Sequence, residues 1–224
     1  MLRAIVAVLI LAACESSTTT TPATSPLGQT TTTVTALPEP RSYGEACRLI
    51  GGNCSDVSGQ MPETMLRAIA LPEIRAGEPC PISPIVPTPV GANFGPWTFD
   101  SGTAVGLAAA PSPTERVSIA SRAPTQTHWI FPWTIKALWF ATAAYDGPIL
   151  IRGKQLDGPG PIAFAAGSPG AGWLLIPPGP TLNTTNGIRT VPSAILVTHS
   201  GCYGFQIDAL TFTGSVVIQV TLST

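Results

Sequence analysis

Short apolar runs alternate with turn-forming residues through most of the chain beyond residue 93. The runs are rich in β-branched and aromatic residues, and clusters of Gly, Pro, Asp and Asn separate them, a pattern typical of strands joined by turns. Strands are predicted at residues 94–99, 103–108, 117–120, 127–131, 134–142, 149–152, 162–165, 173–176, 194–199, 203–207 and 215–222. Short strands at this spacing predict an all-β fold, an antiparallel β-sandwich.

Two regions of this pattern predict the centre of the domain. The last two runs and the Thr/Gly/Ser turn between them predict a hairpin of central strands. Residues 134–140 are apolar on both faces of an extended chain, which predicts a central strand covered on both sides.

The N-terminus has the pattern of an export signal. Arg3 gives a minimal positive region, and Ala4 to Leu11 form a short apolar run. A membrane-spanning helix takes about 20 apolar residues, so this run is too short for a stable anchor. Residues 1–13 are therefore predicted to be a signal peptide.

The residues after the apolar run are Leu11-Ala12-Ala13-Cys14, and they resemble the lipobox of bacterial lipoproteins. The resemblance implies cleavage just before Cys14, which carries a diacylglyceryl thioether as a lipidation site. Two acyl chains give stable anchoring, so the expected location is the cell membrane, facing the extracytoplasmic side. An ordinary secretory signal with an incidental cysteine is the alternative.

Residues 14–40 follow as the lipidated cysteine and a Ser/Thr/Pro-rich tether. The tether has too little apolar surface to offset the entropy of ordering, so it is predicted to be disordered. Such a composition is also found in O-glycosylated stalks.

Four cysteines remain once Cys14 is assigned to lipid. Export permits disulfides, and four cysteines allow three pairings. We expect Cys47–Cys54 within an irregular lead-in at residues 41–79, and Cys80–Cys202 within a β-sandwich domain at residues 80–224. The second bridge is expected to join the two sheets beside Trp139, by analogy with immunoglobulin-like sandwiches.

The low charge argues against nucleic acid as a partner. The net charge is −1 and only 10% of the residues are charged, whereas nucleic-acid binding needs a basic face. No metal or cofactor is expected, because the chain lacks a paired C-x-x-C spacing and has only two histidines, His128 and His199.

A second resemblance covers scattered blocks from Leu71 to the C-terminus. The segments Gly77-Glu78-Pro79-Cys80-Pro81 and Gly201-Cys202-Tyr203-Gly204-Phe205-Gln206-Ile207-Asp208 are similar to those of a group of exported bacterial lipoproteins. The resemblance implies a compact β-rich domain and brings no assigned activity.

Catalysis has one candidate, His199 and Ser200 with Asp208 or Asp157 as the acidic partner. The G-x-S-x-G elbow is absent, and adjacent side chains on an extended strand point to opposite faces. Asp157 also belongs to an Asp-Gly turn, where aspartate usually caps the local backbone. We therefore expect no enzymatic activity.

Binding is the stronger expectation. Five tryptophans are present, and most are expected in the core. Trp97 and Trp173 are flanked by turn residues and are the candidate ligand contacts. The sequence thus indicates a non-enzymatic interaction module for an envelope protein or cell-wall glycan. A carbohydrate-binding module is the alternative, and an exported hydrolase is a distant third.

Overall fold

The computed structural model describes residues 42–43, 59–75, 77–89, 97–108, 121–122, 133–165, 171–179 and 184–222, with backbone alone at 97, 121 and 122. All of them belong to one compact unit, Val34–Thr224. Cys14, Cys47 and Cys54 lie outside the described residues, as do the signal peptide and tether predicted at residues 1–40.

The regular structure is almost entirely β-strand, which confirms the predicted all-β fold. A single 3₁₀ turn, Glu63–Met65, precedes the strands within the described residues. The strands are β1 (Ile85–Pro87), β2 (Trp97–Asp100), β3 (Val105–Ala108), β4 (Ser121–Arg122), β5 (Trp133–Ala141), β6 (Ile149–Gln155), β7 (Ile162–Ala165), β8 (Trp173–Ile176), β9 (Thr184–Thr185), β10 (Ile188–Val197), β11 (Gly201–Ala209) and β12 (Thr213–Val220).

Two antiparallel sheets pack face to face. The first sheet has the order β1-β2-β3-β5-β10-β7, with β4 paired to β5 and β9 paired to β10. The second sheet has the order β12-β11-β6-β8. The predicted hairpin is β11–β12, in which Phe205 lies opposite Val216, and β11 is a central strand.

Alternating residues of both sheets form the core between them. On β5 the inward residues include Ile135 and Trp139, and on β11 they include Tyr203 and Phe205. Trp139 and Phe205 meet edge to face with ring centroids 5.5 Å apart. β5 is also buried at Leu138 and Phe140 on its other face, as predicted for a central strand.

Hydrogen bonds join the two sheets along both sides of the sandwich. On one side, Phe164 of β7 and Ala171, just before β8, exchange two backbone bonds of 2.7 and 2.8 Å. On the other side, Ser83 N–H donates to the carbonyl of Val217 on β12, and Val217 N–H donates to Ser83 Oγ. These contacts occupy edge groups that would otherwise be open to pairing with another chain.

The predicted and observed strands differ most at β10, which begins at Ile188 rather than at the predicted residue 194. Pro192 argued against a strand there, because proline cannot donate a ladder hydrogen bond. The structure accommodates it because β9 pairs with Ile188 and Arg189 while β7 pairs from Ala194 onward. Pro192 therefore lies in the gap between these two partners.

A segment that we call the strap, residues 60–75 and 77–83, crosses the outer face of the second sheet. Met61 and Met65 pack on Leu150, Trp173 and Leu175 of that face. Apart from the short 3₁₀ turn, no helix or strand lies in the described residues of the strap. The strap explains why every residue of β11 is buried.

The disulfide Cys80–Cys202 is present, with the two Cα atoms 5.5 Å apart. Its expected position between the sheets beside Trp139 is wrong. Tyr203 faces the core, so its neighbour Cys202 faces outward, because successive side chains of a strand point to opposite faces. The bridge ties the strap to the outer face of β11, and Trp139 lies on the inner side.

Candidate functional site under the strap

Polar residues of the second sheet gather on its outer face, beneath the strap. On β11 the odd positions 203, 205 and 207 enter the core, which turns Gln206 and Asp208 outward. Arg152 of β6 lies directly opposite Gln206 in the strand register. All three are buried, at 4% exposure or less.

Asp208 is the centre of this group. Arg152 Nη2 donates to its Oδ2 at 2.8 Å, and Gln206 Nε2 donates to the same oxygen at 2.9 Å. Thr213 Oγ1 and Arg67 Nη1 donate to Oδ1 at 3.1 and 3.4 Å. A buried carboxylate needs such partners to offset its lost hydration, and both oxygens are engaged.

Gln206 and Arg152 also hold the main chain of the strap. The Gln206 side-chain amide donates to the carbonyl of Ala68 at 3.1 Å and accepts from Ala70 N–H at 2.6 Å. Arg152 Nη2 donates to the carbonyl of Arg67. The sheet thus binds three polar groups of the strap backbone, at residues 67, 68 and 70, through its own side chains.

Apolar contacts flank this polar centre. Met65 is completely buried in the cluster with Leu150 and Trp173. On the other side, Leu71 reaches Gly204: a Cβ at Gly204 would lie 3.2 Å from Leu71 Cδ1. Glycine at this strand position gives the strap room for close approach.

Trp173 was expected to be exposed, and this is wrong: it is 3% exposed. It opens β8 with its ring on the outer face of the second sheet, where the strap covers it. The glycines before it suggested an exposed turn, but they do not report what packs on the ring from a distant segment. The backbone of Trp97 lies in β2, and its side chain is outside the described part of the chain.

The structure does not assemble His199 and Ser200 with a carboxylate within the described residues. His199 is exposed, and Ser200 Oγ accepts a bond from Leu222 N–H at 3.0 Å. Asp157 accepts from Cys202 N–H and from Gln155 Nε2, both at 2.9 Å. Asp157 thus fastens a turn to the distant start of β11, whereas the sequence predicted that it would cap the local backbone of its own turn.

Tyr203 links the same loop to the core. Its hydroxyl donates to the carbonyl of His199 at 2.8 Å. Burial raises the pKa of Tyr203 to about 12, because the phenolate would lose its hydration. The neutral hydroxyl is therefore the form that the fold favours.

Sequence reasoning missed a second buried cation, Arg189 at the start of β10. Its guanidinium donates to the carbonyls of Tyr145, Gly147 and Pro177 at 2.9, 2.7 and 2.6 Å. Burial lowers the pKa of Arg189. These bonds join the β5–β6 loop to the loop after β8, which indicates a structural role. No local feature of the sequence shows that backbone carbonyls from two separate loops surround this arginine.

Arg152 belongs to a polar stretch of the sequence, Arg152-Gly153-Lys154-Gln155, that is typical of a solvated strand end, yet its side chain is only 4% exposed. The missed signal was the alternation in β11, where Gln206 and Asp208 share one face of a strand otherwise rich in apolar residues.

Within the described ranges, no group of three or more His, Cys, Asp or Glu side chains is placed to hold a metal ion. None of the helices in the same ranges has the length and apolar character needed to cross a membrane.

No protein-family model, curated protein or solved structure matches this chain.

Proposed function

We propose that the protein is a lipoprotein anchored through Cys14 outside the cytoplasm, and that its sandwich domain is a non-enzymatic module that binds another envelope component. The anchor rests on the lipobox-like Leu11-Ala12-Ala13-Cys14. The Cys80–Cys202 disulfide supports export, since disulfides persist mainly in oxidising compartments.

The observation that supports a binding role over catalysis is that both candidate catalytic carboxylates are engaged in contacts that hold the fold. Asp157 holds the start of β11, and Asp208 neutralises Arg152 under the strap. A general base needs a carboxylate or imidazole within reach of the proton it removes. Both carboxylates serve the fold instead, which weighs against the hydrolase alternative.

The carbohydrate-binding alternative loses one of its two contacts. A sugar platform needs an exposed aromatic ring, and the ring of Trp173 is buried beneath the strap. Trp97 alone would have to supply the stacking surface. A protein partner is therefore the occupant that we favour.

Mass spectrometry of the mature protein tests the anchor. We expect a polypeptide beginning at Cys14, with a mass increase equal to at least a diacylglyceryl group. A Cys14→Ser variant should stay unprocessed or leave the membrane fraction. An unmodified mature N-terminus at another residue would contradict the anchor.

Crosslinking of the full-length protein in native envelopes tests the binding role. We expect one defined protein adduct, recovered after detergent extraction and identified by mass spectrometry. Retention on purified cell-wall glycan, lost in Trp97→Ala, would favour the carbohydrate alternative. Turnover of an ester, peptide or glycan substrate that disappears in His199→Ala would favour the hydrolase.

A further inference from the structure

We infer that the outer face of the second sheet is a peptide-binding site, and that the strap is its intramolecular occupant. A segment of a partner protein that follows the same backbone course as the strap would bind there when the strap is displaced. This inference rests on the proposed binding function and assigns its site.

The first observation is that the sheet recognises the strap through main-chain atoms. Gln206 bonds the carbonyl of Ala68 and the N–H of Ala70, two residues apart as in the pairing of a neighbouring strand. Arg152 bonds the carbonyl of Arg67. Every peptide carries these groups, so the same bonds are open to a segment of another protein that follows the backbone course of the strap.

Gln206 and Arg152, with their three bonds to the strap backbone, are called the clamp below. The second observation is a pair of side-chain subsites on either side of the clamp. Met65, three residues before Ala68, fills the apolar subsite of Leu150, Trp173 and Leu175. Leu71, three residues after Ala68, lies over Gly204. Because methionine-filled subsites adapt to other unbranched apolar side chains, the fitting ligand has apolar residues three positions before and after the clamped carbonyl.

The position between the two bonded residues places no requirement on the side chain of a ligand. Ile69 lies between Ala68 and Ala70 and is 39% exposed. Because this side chain is exposed, the same position of a ligand can vary. The expected ligand is therefore a heptapeptide that is apolar at both ends, variable at position five, and turned at its first two residues as the strap is.

The third observation is that the strap is attached in a way that permits exchange. Residues 61–75 and 77–82 of the strap make no backbone–backbone hydrogen bond to the second sheet, and Ser83 at its end makes one, to Val217. The covalent tie, Cys80–Cys202, also lies beyond the residues that Gln206 and Arg152 hold. Residues 61–75 can thus leave the sheet while the disulfide stays closed.

The strap competes as a tethered ligand. A linked segment has an effective concentration on the order of millimolar, so a free peptide is expected to bind the wild-type protein weakly. Weakening the strap without changing the sheet should reveal the site.

The experiment uses a fluorescent synthetic peptide of residues 60–75 and the full-length protein. In the double variant Met65→Ala/Ala70→Pro, the strap loses its main apolar contact and the N–H that Gln206 accepts. Fluorescence anisotropy should show peptide affinity at least tenfold higher for this variant than for the wild type. Equal affinities for both proteins would overturn the inference.

A matched pair of glutamine variants locates the site. Gln206→Leu, added to the strap-weakened protein, should lower the peptide affinity at least tenfold. Gln219→Leu lies on the same face of the second sheet, opposite Cys202, and should leave the affinity within twofold. Equal effects of the two substitutions would overturn the inference.

A second format keeps the test decisive if the double variant does not fold. A protease site inserted after the exposed Gly77 allows the folded wild-type strap to be cut, so that it stays bound by non-covalent contacts. Labelled peptide should then replace the cut strap, and faster with Gln206→Leu than with Gln219→Leu. A cut strap that dissociates with no peptide taking its place would contradict the inference.

Envelope crosslinking separates this inference from the proposed function. A partner adduct lost in Gln206→Leu and kept in Gln219→Leu supports the site. An adduct that survives Gln206→Leu leaves the binding function standing and overturns this site. The absence of any adduct contradicts the binding function, while the peptide titrations still decide the site.

Discussion

The two faces of the second sheet are both buried, but different chemistry covers each. The inner face of β11 presents Tyr203, Phe205 and Ile207 to the first sheet, and its contacts are apolar and numerous. The outer face of β11 presents Gln206 and Asp208 to the strap, where a few directed hydrogen bonds and one buried ion pair form. The apolar contacts of the strap lie beside this polar group, on β6 and β8.

Because of this difference, one face mainly stabilises the fold and the other mainly fixes the position of the strap. Burial of apolar surface stabilises a fold roughly in proportion to the area removed from water, and this stabilisation depends little on the orientation of the groups. A buried ion pair gains little net stability, because desolvation offsets the attraction. We therefore assign stability mainly to the inner face, and to the outer network the task of fixing where the strap lies.

The largest expected effect is on the inner face. Trp139→Ala removes a ring with 0% exposure and should lower the free energy of unfolding by up to about 5 kcal/mol, from lost burial and the resulting cavity. Urea denaturation of the full-length protein measures it. Lys154→Ala, exposed on β6, is the control and should stay within about 0.5 kcal/mol; similar losses for both would contradict the assignment.

On the outer face, Asp208→Ala should cost about 3 kcal/mol, because it leaves Arg152 buried without its carboxylate. The triple variant Arg152→Met/Gln206→Leu/Asp208→Leu should instead unfold at nearly the wild-type urea concentration. Its Ala70 amide should exchange hydrogen faster, since its acceptor on Gln206 is lost. A triple variant as unstable as Asp208→Ala would show that the network itself supplies stability.

Removing the bridge with Cys80→Ser/Cys202→Ser should cost about 2–4 kcal/mol, since the disulfide restricts the unfolded chain over a long loop. The loop spans a sequence separation of 122 residues. Thermal denaturation without reductant measures the loss. A variant with unchanged stability would mean that the strap contacts alone close this loop.

The smallest effect concerns alkaline pH. Burial raises the pKa of Tyr203 from its ordinary value of 10.0 to about 12 in the folded protein. Its stabilising contribution is present below pH 10 and is lost as pH rises from 10 to 12, because the unfolded state then releases the proton more readily. Tyr203→Phe should show a shallower alkaline loss than the wild type in parallel urea titrations, and identical slopes would contradict this.

Much of the fold could be predicted from the sequence, for identifiable reasons. β8 begins and ends at the predicted residues 173 and 176, because its apolar run is bounded by glycines and prolines. The Cys80–Cys202 pairing was also predicted. The short strands β1 and β9 were not predicted, since two or three residues carry too little pattern, and Pro192 concealed the first half of β10.

The candidate site could not be predicted in the same way. Trp173 was a candidate for the surface. The alternation in β11 places Gln206 and Asp208 on one face, but nothing in the sequence joins Arg152 or the strap to them. The hydrogen bond between Ala70 and Gln206 connects residues 136 positions apart. No window of sequence reports a contact at that separation.

The sequence by itself determined the alternation along β11, and hence which side chains share each face. Backbone geometry alone sets that period of two. Only the tertiary structure decided that the polar face is also buried, because its cover is a distant segment without a strand pattern of its own. Burial depends on what packs from outside a strand, and for this face the strap supplies it.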